Sequence, residues 1–182
     1  AVLDGDYLAE ERLMLEAKIA GPGSQAATLN ALNDVVLQKL ASGRIMEFVT
    51  KVDGHYVNAH GGDGLIVSTP TGSTAYALSC GGPIIRPDVQ ALVMVPICPH
   101  TLSDRPLVIR SSSKVSVEVP PGAEGRALVT CDGEELGNLD ANQTLEIAAA
   151  KETVTLLHPK DYNYYDLLRS KLNWGRANRA EH

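Results

Sequence analysis

Short runs that alternate apolar and polar residues, cut at close intervals by turn residues, constrain this chain most. Arg12 to Ala20, Arg44 to Val52, His55 to His60, Lys114 to Val119, Ala127 to Cys131, Thr144 to Ala148 and Thr153 to His158 follow a period of two or close to it. That period places alternate side chains on one face of a strand. Ala31 to Leu40 carries the apolar run Val35-Val36-Leu37. Asp53-Gly54 lies between two of these runs and predicts a tight hairpin, because both central positions of such a turn need positive φ. Pro120-Pro121-Gly122 and the stretch from Gly133 to Asn142 supply further breaks. The expected fold is mainly β, an antiparallel sandwich. Three stretches are predicted to be helical: Leu8 to Glu11, a short turn from Ser73 to Cys80, and Tyr162 to Trp174 ended by Gly175. The last carries Leu167, Leu168 and Leu172 at helical spacing.

A chain of 182 residues suits one domain or two small ones, and it can bury roughly 70% of its unfolded surface. The formal charge of −6 argues against general affinity for nucleic acid or anionic lipid. No apolar run is long enough to cross a bilayer, and the opening residues do not lead us to expect a signal peptide. Cys80, Cys98 and Cys131 have no metal-ligand spacing and form no disulfide framework, so a cytoplasmic setting is expected. The first methionine is Met14 and Ala1 stands in mid-pattern, so a processed protein or a piece of a larger one is expected.

The most unusual stretch is Gly61 to Pro83, GGDGLIVSTPTGSTAYALSCGGP. It predicts a buried strand, Leu65 to Ser68, then a sharp turn, Thr69 to Gly72, then a helix start capped by Ser73 or Thr74. Hydroxyls of Ser68, Thr69, Thr71, Ser73, Thr74 and Ser79 would surround exposed backbone N–H groups. Such a socket suits phosphate oxygens or the edges of a nucleoside. No Lys follows its Gly, so it is not a P-loop. A capping turn at a tight corner explains the same residues, and both readings stay open. Asn33-Asp34 interrupts an apolar strand with two polar groups, which a ribose diol or a simple bulge would satisfy. Asp132-Gly133-Glu134 ends a strand, where a plain turn is the simpler reading. His100 sits among hydroxyls in a proline-containing loop, and Arg44 at a strand start is either a phosphate partner or a solvated charge.

Taken together, these segments resemble bacterial NAD kinases. DGLIVSTPTGSTAYALSCGGPI resembles that family's signature. LNDVVL (Leu32 to Leu37) resembles its Asn-Glu/Asp motif. MVPICPHTLSDRPLVI (Met94 to Ile109) and HPKDYNYYDLLRSKLNWG (His158 to Gly175) resemble two later blocks, in family order. The family's general base lies in a Gly-Gly-Asp-Gly loop of an N-terminal α/β domain. Gly61-Gly62-Asp63-Gly64 copies that string, but it runs directly into the later signature and so is a decoy. The resemblance therefore implies that residues 1–182 are a single NAD-binding β-sandwich domain, without the ATP-binding domain or the catalytic base. The helix over 162–174 would pack on the absent domain, and the chain alone would be inactive.

The resemblance further implies that Asn33 and Asp34 contact the dinucleotide and that Thr74, Ala75, Tyr76, Ala77, Leu78 and Ser79 line the nucleoside pocket. Asp63 would reach a dinucleotide, often across a subunit interface. Arg44 would approach phosphate, and Asp132 and Glu134 match a segment near the nicotinamide end. Many relatives carry a basic residue where this chain has Gly61, and His60 is the expected substitute. The implied reaction moves the γ-phosphoryl of ATP to the adenosine 2′-hydroxyl of NAD, giving NADP, with Mg²⁺ or another divalent cation. A dimer or tetramer with shared sites is expected. The competing readings are a non-catalytic nucleotide sensor and a related lipid kinase.

Overall fold

The computed structural model describes residues 5–24, 27–40, 45–101, 103–120 and 127–174. Among the described residues, twelve strands form two antiparallel six-stranded sheets. Sheet I has the order β2 (Thr28–Ala31), β1 (Leu8–Ala20), β12 (Thr144–His158), β9 (Val115–Glu118), β4 (Met46–Val52), β5 (His55–Gly62). Sheet II has the order β11 (Glu134–Leu139), β10 (Ala127–Cys131), β3 (Asp34–Lys39), β6 (Gly64–Ser68), β7 (Ala91–Ile97), β8 (Leu107–Arg110). A 3₁₀ turn, Gly72–Thr74, leads into the four-residue helix α1 (Tyr76–Ser79), and α2 spans Tyr164–Leu172.

The sandwich follows from the alternating pattern. Leu15, Phe48, Val117 and Leu145 of sheet I and Val35, Leu37, Leu65, Leu92 and Val129 of sheet II belong to one buried cluster. The β4–β5 hairpin turns on Asp53 and Gly54 at φ 52° and 79°, as the Asp-Gly pair predicts. The Asp53 carboxylate then accepts the Lys114 N–H at 2.8 Å.

The central strands of sheet II, β3, β6 and β7, are buried on both faces, and this shapes the site. Val36, Ile66, Val93, Val95 and Ile97 form a second cluster with Ala77 of α1 and with Ile85. The segment around α1 therefore covers the outer face of sheet II. Every residue of β6 and β7 is buried, which is why these strands read as unbroken apolar runs.

Five expectations change. The stretch from Gly133 to Asn142, expected as a break, holds the strand β11. Leu8–Glu11 is the start of β1, not a helix. Thr144–His158 is one strand of 15 residues where the sequence predicts two. The predicted strand Ala31 to Leu40 is broken, because β2 ends at Ala31 and β3 starts at Asp34. At that break the chain passes from sheet I to sheet II. Finally, α2 ends with Asn173 in the left-handed conformation at φ 54°; Gly175 lies outside the described residues.

The chain divides into two compact units. Residues 12–154 hold the sandwich core and α1. The other unit combines the outer ends of β1 and β12 with α2. Within it His158 lies 3.2 Å from Glu10 and stacks on Tyr162 at 3.8 Å between ring centres. The Asn163 side chain caps α2 by accepting from the N–H groups of Tyr165 and Asp166.

Candidate functional site

The site is built where the Leu32–Asn33 corner meets the turn after β6. Ser68 and Thr69 fasten the two together. The Asn33 carbonyl accepts the Thr69 N–H at 2.9 Å and the Ser68 hydroxyl at 3.0 Å. The Thr69 hydroxyl donates to the Leu32 carbonyl at 2.6 Å and accepts the Gly72 N–H at 3.1 Å. Ser73 ties the turn to the returning chain: its hydroxyl lies 2.7 Å from the Pro70 carbonyl and accepts the Ile85 N–H at 2.9 Å. From sheet I, the buried Arg12 donates to the Thr71 hydroxyl at 3.3 Å.

These bonds correct the expected hydroxyl socket. Ser68, Thr69 and Ser73 are wholly buried. Their hydroxyls point inward and satisfy backbone groups that would otherwise be stranded at a tight corner. Neither Ser73 nor Thr74 caps α1, which starts at Tyr76 after Ala75 without a side-chain cap; Thr74 instead donates to the Thr71 carbonyl at 3.3 Å. The hydroxyl-rich turn is thus a frame. What remains for a ligand is the outward edge. There Ala75, Tyr76 and Ser79 are exposed and Asn33, Thr74 and Leu78 half-buried, while Ala77 is buried in the second cluster. Ser73→Ala should cost about 1–3 kcal/mol in urea unfolding, because the buried Ile85 N–H loses its acceptor. A stability equal to wild type would refute this framing role.

Asp34 and Asp132 stand together on this edge. Asp34 is 7% exposed and pairs with Ser68 across β3 and β6. Burial first, then the neighbouring Asp132 charge, pushes its carboxyl up to about 6. Asp132 occupies the β10–β11 turn with Gly133. Its carboxylate accepts the N–H groups of Leu32, Asn33 and Asp34 at 2.6, 2.8 and 3.0 Å. The plain turn anticipated there is in fact a clamp. Glu134 opens β11 beside it and is exposed. Burial, followed by Asp132, Glu134 and Asp34, raises the Cys131 thiol to about 12, which favours its neutral form. The Tyr76 phenol is raised by burial and by Cys80, Cys98 and Asp34.

Asp63 stands apart from this corner. It follows β5 and pairs with Lys39 at 2.5 Å, and Lys39 ends the strand that Asp34 begins. The Lys39 hydrogen bond holds the Asp63 carboxyl below its ordinary range. His60 is not the substitute cation. It is buried, lies 3.0 Å from both Thr50 Oγ1 and Asp104 Oδ2, and stacks on Phe48 at 5.0 Å. Lys39 supplies the positive charge beside Asp63, and nothing in its sequence position, at the end of an apolar run, marks it for that role. His100 donates its backbone N–H to the Gly61 carbonyl at 2.9 Å. Arg44 lies outside the described residues. Among the described residues no group of three or more His, Cys, Asp or Glu could hold a metal ion, and no helix is long and apolar enough to cross a membrane.

Comparison with known proteins adds the family. Residues 32–158 match the model of the ATP-NAD kinase C-terminal domain. An NAD kinase of Ectopseudomonas mendocina is 47% identical over 174 residues, covering 96% of this chain and 59% of the relative. One from Thiobacillus denitrificans is 44% identical over 175 residues, covering 96% and 60%. Among solved structures, yeast NADH kinase complexed with NADH superposes with a TM-score of 0.90 at 26% identity, covering 100% of this chain and 53% of that one. An Archaeoglobus fulgidus NAD kinase in complex with ATP gives 0.73 at 25% identity, covering 91% and 60%. The chain spans about three-fifths of the length of these curated relatives. With its matched segment holding both sides of the corner described above, the chain belongs to the ATP-NAD kinase C-terminal domain family.

Proposed function

We propose that this chain is the dinucleotide-binding part of an enzyme that transfers the γ-phosphoryl of ATP to the adenosine 2′-hydroxyl of NAD, yielding NADP. One observation carries the reading: the family match runs from residue 32 to 158 and so includes both the Leu32–Asp34 corner and the turn locked onto it. Transfer of this kind needs little covalent chemistry from protein. It needs an acceptor hydroxyl held in line and charge neutralised around the phosphates. In our reading Asn33 and Asp34 take ribose hydroxyls, Tyr76 offers its ring to a base, and Thr74 and Ser79 offer hydroxyls to its edge.

Asp63, paired with Lys39 away from this corner, fits a contact to a dinucleotide held partly by a second subunit of a dimer or tetramer. The exposed Tyr165, Leu167 and Trp174 around α2 suit packing on a further domain. The described residues do not fit a resident divalent cation, so we assign no residue of this chain to one. ATP and the base that takes the hydroxyl proton belong, in this reading, to protein outside this chain. A cytoplasmic setting is part of the same proposal.

Calorimetric titration with NAD tests the reading. The chain should bind NAD, and Tyr76→Ala should weaken binding about tenfold, the scale of one base–aromatic stack. In a coupled assay the chain alone should form no NADP. An isolated chain that turns over, or that binds other nucleotides and ignores NAD, would sink the assignment; the second result would favour a nucleotide sensor.

A further inference from the structure

We infer that Asp132 is the positioning residue of this site, clamping three consecutive backbone N–H groups so that the Asn33 and Asp34 side chains meet the ligand in one fixed geometry. The ligand part of this inference rests on the functional reading above; the clamp itself does not.

The distances make the case. One carboxylate oxygen takes the Leu32 N–H at 2.6 Å, and the other takes Asn33 at 2.8 Å and Asp34 at 3.0 Å. The chain answers in return, since the Asp132 N–H donates to the Asp34 carbonyl at 3.0 Å. Charge-assisted bonds of this length are about twice as strong as neutral ones. Successive N–H groups form an anion-binding concavity, and here a side chain from the β10–β11 hairpin fills it. Without it, three donors at the crossing between the sheets lose their acceptor. With it, both oxygens are engaged by backbone and Asp132 acts on a ligand through its neighbours.

Asp132 also acts through charge. The titratable groups set around Asp34 are Asp132 and Cys131 on the β10 side and Tyr76 from α1. Burial and the Asp132 charge both raise Asp34. Removing that charge at constant size should therefore lower the Asp34 midpoint, an effect that a purely structural turn residue would not produce.

The test compares wild-type chain with Asp132→Asn, and with Glu135→Gln as a control that removes an exposed charge from the same hairpin. The Asp34 carboxyl is followed by ¹³C NMR over pH, and NAD affinity by calorimetry at pH 7. Asp132→Asn should move the Asp34 midpoint down from about 6 and weaken NAD about tenfold. Glu135→Gln should leave both near wild type. A midpoint and affinity unmoved by Asp132→Asn overturn the inference. If the midpoint moves but wild type does not bind NAD, the functional reading fails and the clamp stands. Should Asp132→Asn not fold, hydrogen exchange on wild type decides: Leu32 and Asn33 amides protected above free-loop rates support the clamp, and free-loop rates overturn it.

Discussion

Gly72→Ala is expected to destabilise the protein by more than about 3 kcal/mol and to abolish dinucleotide binding. A Cβ on Gly72 would lie 2.1 Å from the Asn33 carbonyl oxygen, 2.5 Å from its carbon and 2.6 Å from the Asn33 Cα. All three are backbone atoms, so no rotamer change relieves the contact. That same carbonyl oxygen accepts from Thr69 N–H and the Ser68 hydroxyl. Any shift that makes room must break those bonds, and both groups are buried. The corner that presents Asn33 and Asp34 would move with it. Gly61→Ala is the useful contrast. Among the described residues the new Cβ there meets the Ile45 Cγ2 at 3.3 Å, the end of a side chain, and should cost less than about 1 kcal/mol. Urea unfolding of the two variants separates the cases; equal midpoints would remove the argument for a backbone-packed corner.

The same glycine shows what a sequence conveys and what it hides. A Gly in a Thr-Pro-Thr-Gly turn after an apolar run announces a sharp bend. It does not say what comes so close that no Cβ fits. The sandwich was legible because period-two alternation is a local property, visible in β4 and β9 residue by residue. Local reading failed where the environment departs from one buried face per strand. Leu8–Glu11, acidic and without a clear period, looks helical alone, yet it extends a 13-residue strand. The two expected strands stop at Ala148 and resume at Thr153, because the charged pair Lys151-Glu152, exposed in the middle of β12, resembles a break.

At the site, sequence conveys which residues are polar but not where their side chains point. Ser68, Thr69 and Ser73 are polar for a reason, but the reason is carbonyl and amide groups inside the turn. Sequence cannot tell an inward hydroxyl from an outward one. Asp132-Gly133-Glu134 reads as a plain turn from sequence alone, since the partners of Asp132 lie 98 to 100 positions earlier. Lys39 is a similar case: its partner Asp63 lies in the one-residue link between β5 and β6, and the antiparallel pairing of β3 with β6 brings the two together.

Asp34→Asn should produce the clearest pH signature. The group's folded value of about 6 stands above the ordinary 3.8, so between these values the folded state holds more proton than the unfolded state. Stability contributed by the protonated carboxyl is then complete below pH 4 and is lost as pH rises through about 6. The gap between the two values corresponds to about 3 kcal/mol as an upper bound. Asn mimics the protonated acid in size and cannot ionise. The variant should match wild type near pH 4 and exceed it by about 1–3 kcal/mol at pH 7, read from urea midpoints across pH. Binding should run the other way. A ribose diol donates two hydroxyls, which a carboxylate accepts and a protonated acid or amide accepts less well. NAD affinity of wild type should therefore rise as pH passes about 6, while the variant binds weakly with no such step. In the proposed reading the buried charge weakens the fold at neutral pH and serves to accept the ligand's hydroxyls. A variant no more stable at pH 7 than at pH 4, relative to wild type, would show that Asp34 ionises without cost and that Asp132 exerts no pressure on it.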